Sequence, residues 1–367
     1  MVGTQQDIRV ERLPWGPDLC GLEREWDALL ERASRPTIFS SFAFVYASCL
    51  HFGKGEEVFF LFFRAAASGE LLAIFPMSLR LGKIHGIRVR ELTHSVTPLG
   101  SEIDKPYPII RHDAERICWE RFRDYFCREF RQWDVIAYPE FWSGSYLCME
   151  LQKLFPFPRY WVKSSPGPDS PIVQLDGDWD TFWMGHRKLR KKSRKLEKKL
   201  GENLSYAVVS NPAEVESCLD DYIATELAGW KAGKFVSSPK SQPFYRDLFP
   251  KMAAHNRLFF GMMRDRGKVV SVEIAYTFKD RVFFAHGTYD PAYADLSPGT
   301  VNSSRLIHYF HGKGFVEGDY LAGFSGYNNP WAHRIEKSVN LIIRRMGWRN
   351  GLLAALHLLK KAEKKSS

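Results

Sequence analysis

The chain has no Cys-x-x-Cys pair, and its six cysteines and eleven histidines form no cluster with zinc-ligand spacing. This excludes the common structural zinc sites and the dithiol redox motifs. Cys20, Cys49, Cys118, Cys127, Cys148 and Cys218 lie mostly in apolar surroundings and read as reduced core residues, since a free cysteine packs as a small hydrophobe. A long hydrophobic run is also missing. The longest, Val58 to Phe63 (VFFLFF), falls far short of the ~20 residues that a spanning helix needs. The opening residues, MVGTQQDIRVERLPWG, contain no apolar stretch of the signal-peptide kind. Together these absences lead to the expectation of a cytoplasmic protein without a metal.

Apolar mass is plentiful. The 367 residues are 45% hydrophobic, with 27 Phe, 15 Tyr and 11 Trp, enough for two cores and too long for one ordinary domain. The net charge of +10 is unevenly placed. Residues 186–199, HRKLRKKSRKLEKK, hold nine Lys/Arg against one Glu, and residues 344–367 hold seven against one. These two segments exceed the net charge between them, so the remainder is mildly acidic. Basic patches of this kind attract phosphates, acidic polymers or anionic membrane surfaces.

Periodicity and turn signals predict one series of elements twice. In the first half, a strand over 7–12 precedes helices over 18–32 and 42–50. Strands over 58–64, 71–81 and 88–93 follow, then a helix over 113–130 and a strand over 133–138. After a Pro-rich stretch at 155–171 and the basic helix, the second half repeats the order. It has a strand over 204–209, helices over 212–229 and 243–255, strands over 257–263, 268–278 and 281–287, a helix over 299–311 and a strand over 319–324. Each half reads β-α-α-β-β-β-α-β. This predicts an α/β (α+β) protein with two mixed sheets and helices packed on them.

Three segments carry candidate chemistry. Tyr289 to Thr300 (YDPAYADLSPGT) joins a strand to a helix, with Ser297 as N-cap and Pro298 in the first turn. Gly299 and Thr300 would let a phosphate approach the free amides of that helix end. A capped helix that binds nothing is the alternative. Glu226 to Lys231 (ELAGWK) ends a helix. Glu226 there is either a general base, an amine counter-ion or an ordinary terminal residue, and Lys231 is either a substrate contact or a snorkelling side chain. Asp319 to Trp331 (DYLAGFSGYNNPW) places Tyr327 and Trp331 in a Gly/Asn-rich loop, as a cleft lining with Tyr327 as general acid or as aromatics pinned to the core.

These motifs resemble the BioF-like, or CelD-type, acetyltransferase group of the GNAT superfamily, which is related to the FemAB enzymes. The matching residues are Trp230, Tyr289-Asp290-Pro291, Ser297-Pro298-Gly299, Gly314 to Asp319, Gly326-Tyr327 and Trp331, with the basic run before residue 200. The resemblance is strongest over 179–331 and extends weakly to Trp26, Phe39-Ser40-Ser41 and Asp104. Asn328-Asn329 stand where the group often has Lys, Gly314 and Asp319 are spaced differently, and the standard GNAT R/Q-x-x-G-x-G/A loop is absent.

The resemblance implies a tandem GNAT-like fold. Residues 1–165 would be a copy without its own cofactor and 166–345 the acyltransferase copy. By their own leucines and lysines, residues 346–367 read either as a basic amphipathic helix able to touch the inner membrane face or as leucines packed on the second domain with a solvated lysine tail. The resemblance implies transfer from acetyl-CoA or another acyl-CoA to an amine or hydroxyl, with a small molecule or sugar as acceptor, in polysaccharide or cell-envelope biosynthesis. Glu226 and Tyr327 would be catalytic. Tyr289, Ser297, Pro298, Gly299 and Thr300 would hold the coenzyme, and backbone amides near 285–287 would polarise the carbonyl. Trp230, Lys231, Asp319, Gly326 and Trp331 would line the acceptor side. Two alternatives stand beside it: a FemAB-like transferase that takes aminoacyl-tRNA on the basic helix, and a non-catalytic partner of a polysaccharide complex.

Overall fold

The structure, a computed structural model, describes residues 7–84, 87–94, 107–229, 231–321 and 331–347. The chain forms two compact units, Met1–Pro168 with Lys337–Ser367, and Asp169–Glu336.

The first unit begins with β1 (Ile8–Pro14), α1 (Glu23–Glu31) and α2 (Phe42–Phe52), followed by β2 (Glu57–Ala65), β3 (Leu71–Ile84) and β4 (Ile87–His94). Then come β5 (Ile109–Ile110), α3 (Glu115–Asp124), β6 (Val135–Trp142), α4 (Tyr146–Leu154) and β7 (Tyr160–Pro166). The VFFLFF run lies in β2 and is buried on both faces, which is why it reads as continuous rather than alternating. Trp26 of α1 meets Phe60 and Phe62 on one face, at 5.6 and 6.2 Å between ring centroids. Phe59, Leu61 and Phe63 pack on the other face with Phe75, Trp119 and Phe122. Each fully buried ring contributes roughly 2–3 kcal/mol of transfer free energy.

The second unit contains β8 (Ser170–Gln174), α5 (Trp179–Gly185), α6 (Arg187–Leu200), β9 (Leu204–Val209), α7 (Val215–Leu227) and α8 (Gln242–Ala254). It continues with β10 (Leu258–Asp265), β11 (Lys268–Phe278), β12 (Arg281–Tyr289), α9 (Pro298–Gly312), β13 (Glu317–Asp319) and β14 (Arg334–Glu336). Its sheet runs β14-β8-β13-β12-β11-β10-β9, antiparallel except where β12 meets β13. Strand alternation sorts the helices by face. Ser271 and Glu273 of β11 bond to Asn302 and Ser303 of α9, whereas Tyr276, of opposite parity, meets Phe249 of α8.

Two features leave β12 open at its far end among the described residues. Among the described residues, β13 pairs with only Arg281, Val282 and Phe283 of β12. In the β11 ladder, Ile274 faces His286 and Ala275 faces Phe284, so Ala285 is the extra residue of a bulge.

Both units show the β-α-α-β-β-β-α-β order, with additions. The Pro-rich stretch at 155–171 holds β7 and the start of β8. Pro166 ends β7, an edge strand of its sheet, where a missing N–H is tolerated. The boundary also departs from the expected 345. Strand β15 (Ser338–Arg345) inserts between β6 and β7 of the first unit's sheet. The β-branched run in SVNLIIRR specifies a strand, but not which sheet it joins. The expected helix over 346–367 lies, from residue 348 on, outside the described residues.

Among the described residues no helix is long and apolar enough to cross a membrane. All six cysteines are free; Cys49, Cys118, Cys127 and Cys218 are buried, whereas Cys20 is exposed and not a core residue. Burial pushes the Cys118 and Cys218 thiols up to about 12 and about 11, which makes them inert.

Candidate active site

The open end of β12 leads straight into the first candidate segment. Asp290 caps the turn after the strand, accepting from the Ala292 amide at 2.9 Å, and pairs with Lys268 at 2.6 Å. Ser297 adopts the left-handed conformation, φ 53° and ψ 48°, and Pro298 opens α9. Ser297 occupies the N-cap position with a left-handed backbone, and its side chain does not make the expected cap hydrogen bond. The amides of Gly299 and Thr300 have no intrahelical acceptor, while Val301 already bonds to the Ser297 carbonyl at 3.2 Å. A side chain at Gly299 would meet only Tyr289 Cδ1, at 3.5 Å. Helix α6 borders this end: Lys192 Nζ donates to Thr300 Oγ1 at 3.4 Å and Lys195 Nζ to the Asp295 carbonyl at 2.7 Å.

On the neighbouring stretch of β12 the structure gathers a buried ionisable cluster. Glu226, at the end of α7, is 0% exposed. Its Oε2 accepts from the Ser237 amide at 2.6 Å, and its Oε1 has no partner among the described residues. Burial raises its carboxyl, moderated by Ser237 and Lys231. Lys231 Nζ donates to the Gly287 carbonyl at 2.9 Å and lies 5.4 Å from the Phe235 ring centre. Burial lowers its ammonium, opposed by Glu226 and Glu273. Glu273 stands opposite Gly287 in the β11–β12 register. Burial pushes its carboxyl up to about 7, against the pull of the Ser303 hydroxyl at 2.6 Å and of Lys231. On the other face, burial and Lys231 hold His286 down at about 3, and its Nε2 lies 2.9 Å from the Tyr245 hydroxyl.

Two residues expected on the acceptor side have other roles. Asp319 is fully buried; it accepts from the Leu321 amide at 2.9 Å and lies 3.5 Å from Arg281, so it ties the end of β13 to the start of β12. Trp331 is 5% exposed and packs in the core with Phe284, Phe310 and Tyr320. The Tyr320 ring stacks on Phe284 at 4.5 Å. Trp230, Gly326 and Tyr327 lie outside the described residues.

Residues 185–329 match the family model described as acetyltransferase (GNAT) domain. Among solved structures, FemX superposes with a TM-score of 0.59 at 8% identity, over 94% of this chain and 99% of its own. A conserved protein of unknown function from Bacteroides thetaiotaomicron gives 0.56 at 10% identity, over 88% and 97%. L-PGS from Bacillus licheniformis gives 0.53 at 13% identity, over 92% and 95%. No curated protein matches the chain in sequence. Over most of its length the chain shares the fold of FemX, with a GNAT-type domain at 185–329.

Within the second unit, the chemistry available follows from the cluster. Glu273, balanced near neutrality, can accept a proton at physiological pH. Lys231 holds the backbone of β12 where the sheet is open. Two carboxylates share one ammonium, so a further cation or hydrogen-bond donor is electrostatically welcome. Sequence reasoning singled out Glu226 and Lys231 but missed Glu273, Ser303, His286 and Tyr320. The one local signal was Glu273 itself, a charged residue in the otherwise apolar run VVSVEIAY; its partners come from distant segments. Among the described residues no group of three or more His, Cys, Asp or Glu is placed to hold a metal ion.

Proposed function

We propose that the second unit transfers an acyl group from an acyl-CoA thioester to an amine or hydroxyl acceptor. The observation that carries this reading is the meeting, on the open end of β12, of the α9 N-terminus and the Glu273–Lys231 pair. In this reading the coenzyme pyrophosphate lies on the Gly299 and Thr300 amides beside Tyr289, Ser297 and Pro298, where helix-end charge favours an anion. Amides at 285–287, beside the bulge, polarise the thioester carbonyl. The acceptor lone pair attacks the carbonyl carbon while Glu273 takes the acceptor proton. Collapse of the tetrahedral oxyanion breaks the C–S bond, and Tyr327 protonates the departing thiolate. Glu226 holds the acceptor through Oε1, which has no partner among the described residues, while its Oε2 accepts from the Ser237 amide.

Thermal melting of the full chain with and without acetyl-CoA tests the donor. At 100 times its dissociation constant a ligand adds ~2.7 kcal/mol of stability. No shift with acetyl-CoA or with longer acyl-CoAs rejects this reading.

One observation favours a second reading, an aminoacyl-tRNA donor. The exposed cations of α6 continue from Lys192 and Lys195 at the α9 N-terminus, and such a row can grip nucleic-acid phosphates. Salt-sensitive tRNA binding in the absence of any acyl-CoA shift would favour it.

A further inference from the structure

A cavity of about 500 Å³ lies in the second unit, away from the open end of β12. Its walls come from the segment after β8, from α5, from the last turns of α9 and from His333. Along α9, Pro298 and His311 are thirteen residues apart, about 20 Å at the helical rise. The cavity therefore lies well away from the α9 N-terminus, where the coenzyme phosphate would sit.

The lining has two kinds of surface. Leu175, Ile307, Trp179 and Phe182 are apolar. Trp179 stacks on His308 at 4.2 Å, and Phe182 lies 5.8 Å from the His333 ring. The polar part is Gln174, Asp176, Asp178, His311 and His333. Backbone hydrogen bonds lock the tautomers of both histidines. The Leu175 carbonyl, an acceptor only, lies 2.7 Å from His311 Nδ1, so Nδ1 carries the hydrogen and Nε2 of the neutral ring accepts. The Gln174 amide donates to His333 Nδ1 at 3.0 Å, so Nε2 carries the hydrogen and donates. Burial and His186 keep His333 below its ordinary value, opposed by Asp176.

No Lys or Arg lines the cavity, whereas two aspartates do. Anionic ligands such as nucleotides and uronates are therefore disfavoured. The ligand that fits is small and amphipathic, with several hydroxyls, one apolar face, and no charge or a positive one. A volume near 500 Å³ is typical of small-molecule sites and has room for one or two sugar rings.

We propose that this cavity binds a neutral or amino saccharide, with the sugar face against the Trp179–Phe182 wall and its hydroxyls on His311, His333 and Asp176. The test titrates the full chain with glucose, cellobiose, glucosamine and glucuronate, read by calorimetry and tryptophan fluorescence. Saturable binding of cellobiose or glucosamine is expected with a dissociation constant on the order of 1 mM, with glucuronate about tenfold weaker. Asp176→Ala and His333→Phe should each weaken binding about tenfold, and Glu273→Gln should leave it unchanged. Asp176 is exposed, so its variant keeps the fold even where His333→Phe does not. No saturation with any of the four sugars, equal binding of glucuronate, or binding indifferent to Asp176→Ala overturns the proposal.

Discussion

Lys231 Nζ donates to the Gly287 carbonyl at 2.9 Å, fastening the loop after α7 to the bulged end of β12. The ammonium favours ionisation of the buried Glu226 and Glu273 carboxyls, and each of them in turn favours the ammonium. None of the three groups titrates alone.

Glu273 makes the pH dependence specific. Its folded carboxyl titrates at about 7 against an ordinary value of 4.5. Transfer that needs the carboxylate should rise as pH increases through about 7 and level off above it. Glu273→Gln should lower kcat by ~10²–10⁴ and abolish that rise. Stability runs the other way. The folded state holds the proton more tightly, so this group's contribution is fully present below pH 4.5 and is lost as pH rises through 7. The loss is on the order of 3 kcal/mol. Thermal melting between pH 5 and 8 should fall less steeply for Glu273→Gln than for the parent chain. Equal slopes would show that Glu273 does not titrate in this range.

Gly299→Val separates phosphate binding from folding. The new Cβ meets only Tyr289 Cδ1 at 3.5 Å, and Val is no worse a helix former than Gly. Melting should be unchanged within about 0.5 kcal/mol, while the γ-methyls crowd the first-turn amides and weaken acetyl-CoA binding at least tenfold by calorimetry. Unchanged affinity would move the phosphate site elsewhere.

Calorimetric titration with CoA should give one equivalent per chain. The first half has Gly100 and Asp104 in the loop at 97–108 but no glycine pair at a helix start, and an acidic residue beside a phosphate is unfavourable. Two equivalents would assign a second coenzyme site to the first unit.

Gly318 on β13 reports on core packing. A Cβ there would lie 2.6 Å from both Phe284 Cε2 and Val173 Cγ1. Both neighbours are buried, so neither moves freely. Gly318→Ala should destabilise by roughly 1–3 kcal/mol through overpacking, seen as a lower urea midpoint. A midpoint unchanged from the parent would mean that the core around β13 relaxes without cost.

Local pattern was enough for the order of elements in both halves, for the start of α9 at Pro298 and for α6, whose Leu189, Leu196 and Leu200 are buried beneath an exposed basic face. These depend on periodicity and turn chemistry, which a segment carries within itself. Tertiary structure alone decided the rest. SVNLIIRR is a strand by its own pattern, but its place between β6 and β7 depends on partners some 170–210 residues away. Asp319 and Trp331 sit in motifs, yet an ion pair with Arg281 and a ring cluster assign them to the framework. Glu273 carries no motif. It becomes a candidate base only because folding removes its carboxyl from water and brings Ser303 and Lys231 to it. Proton affinity depends on what surrounds a group in space, and those surroundings come from segments far apart in the chain.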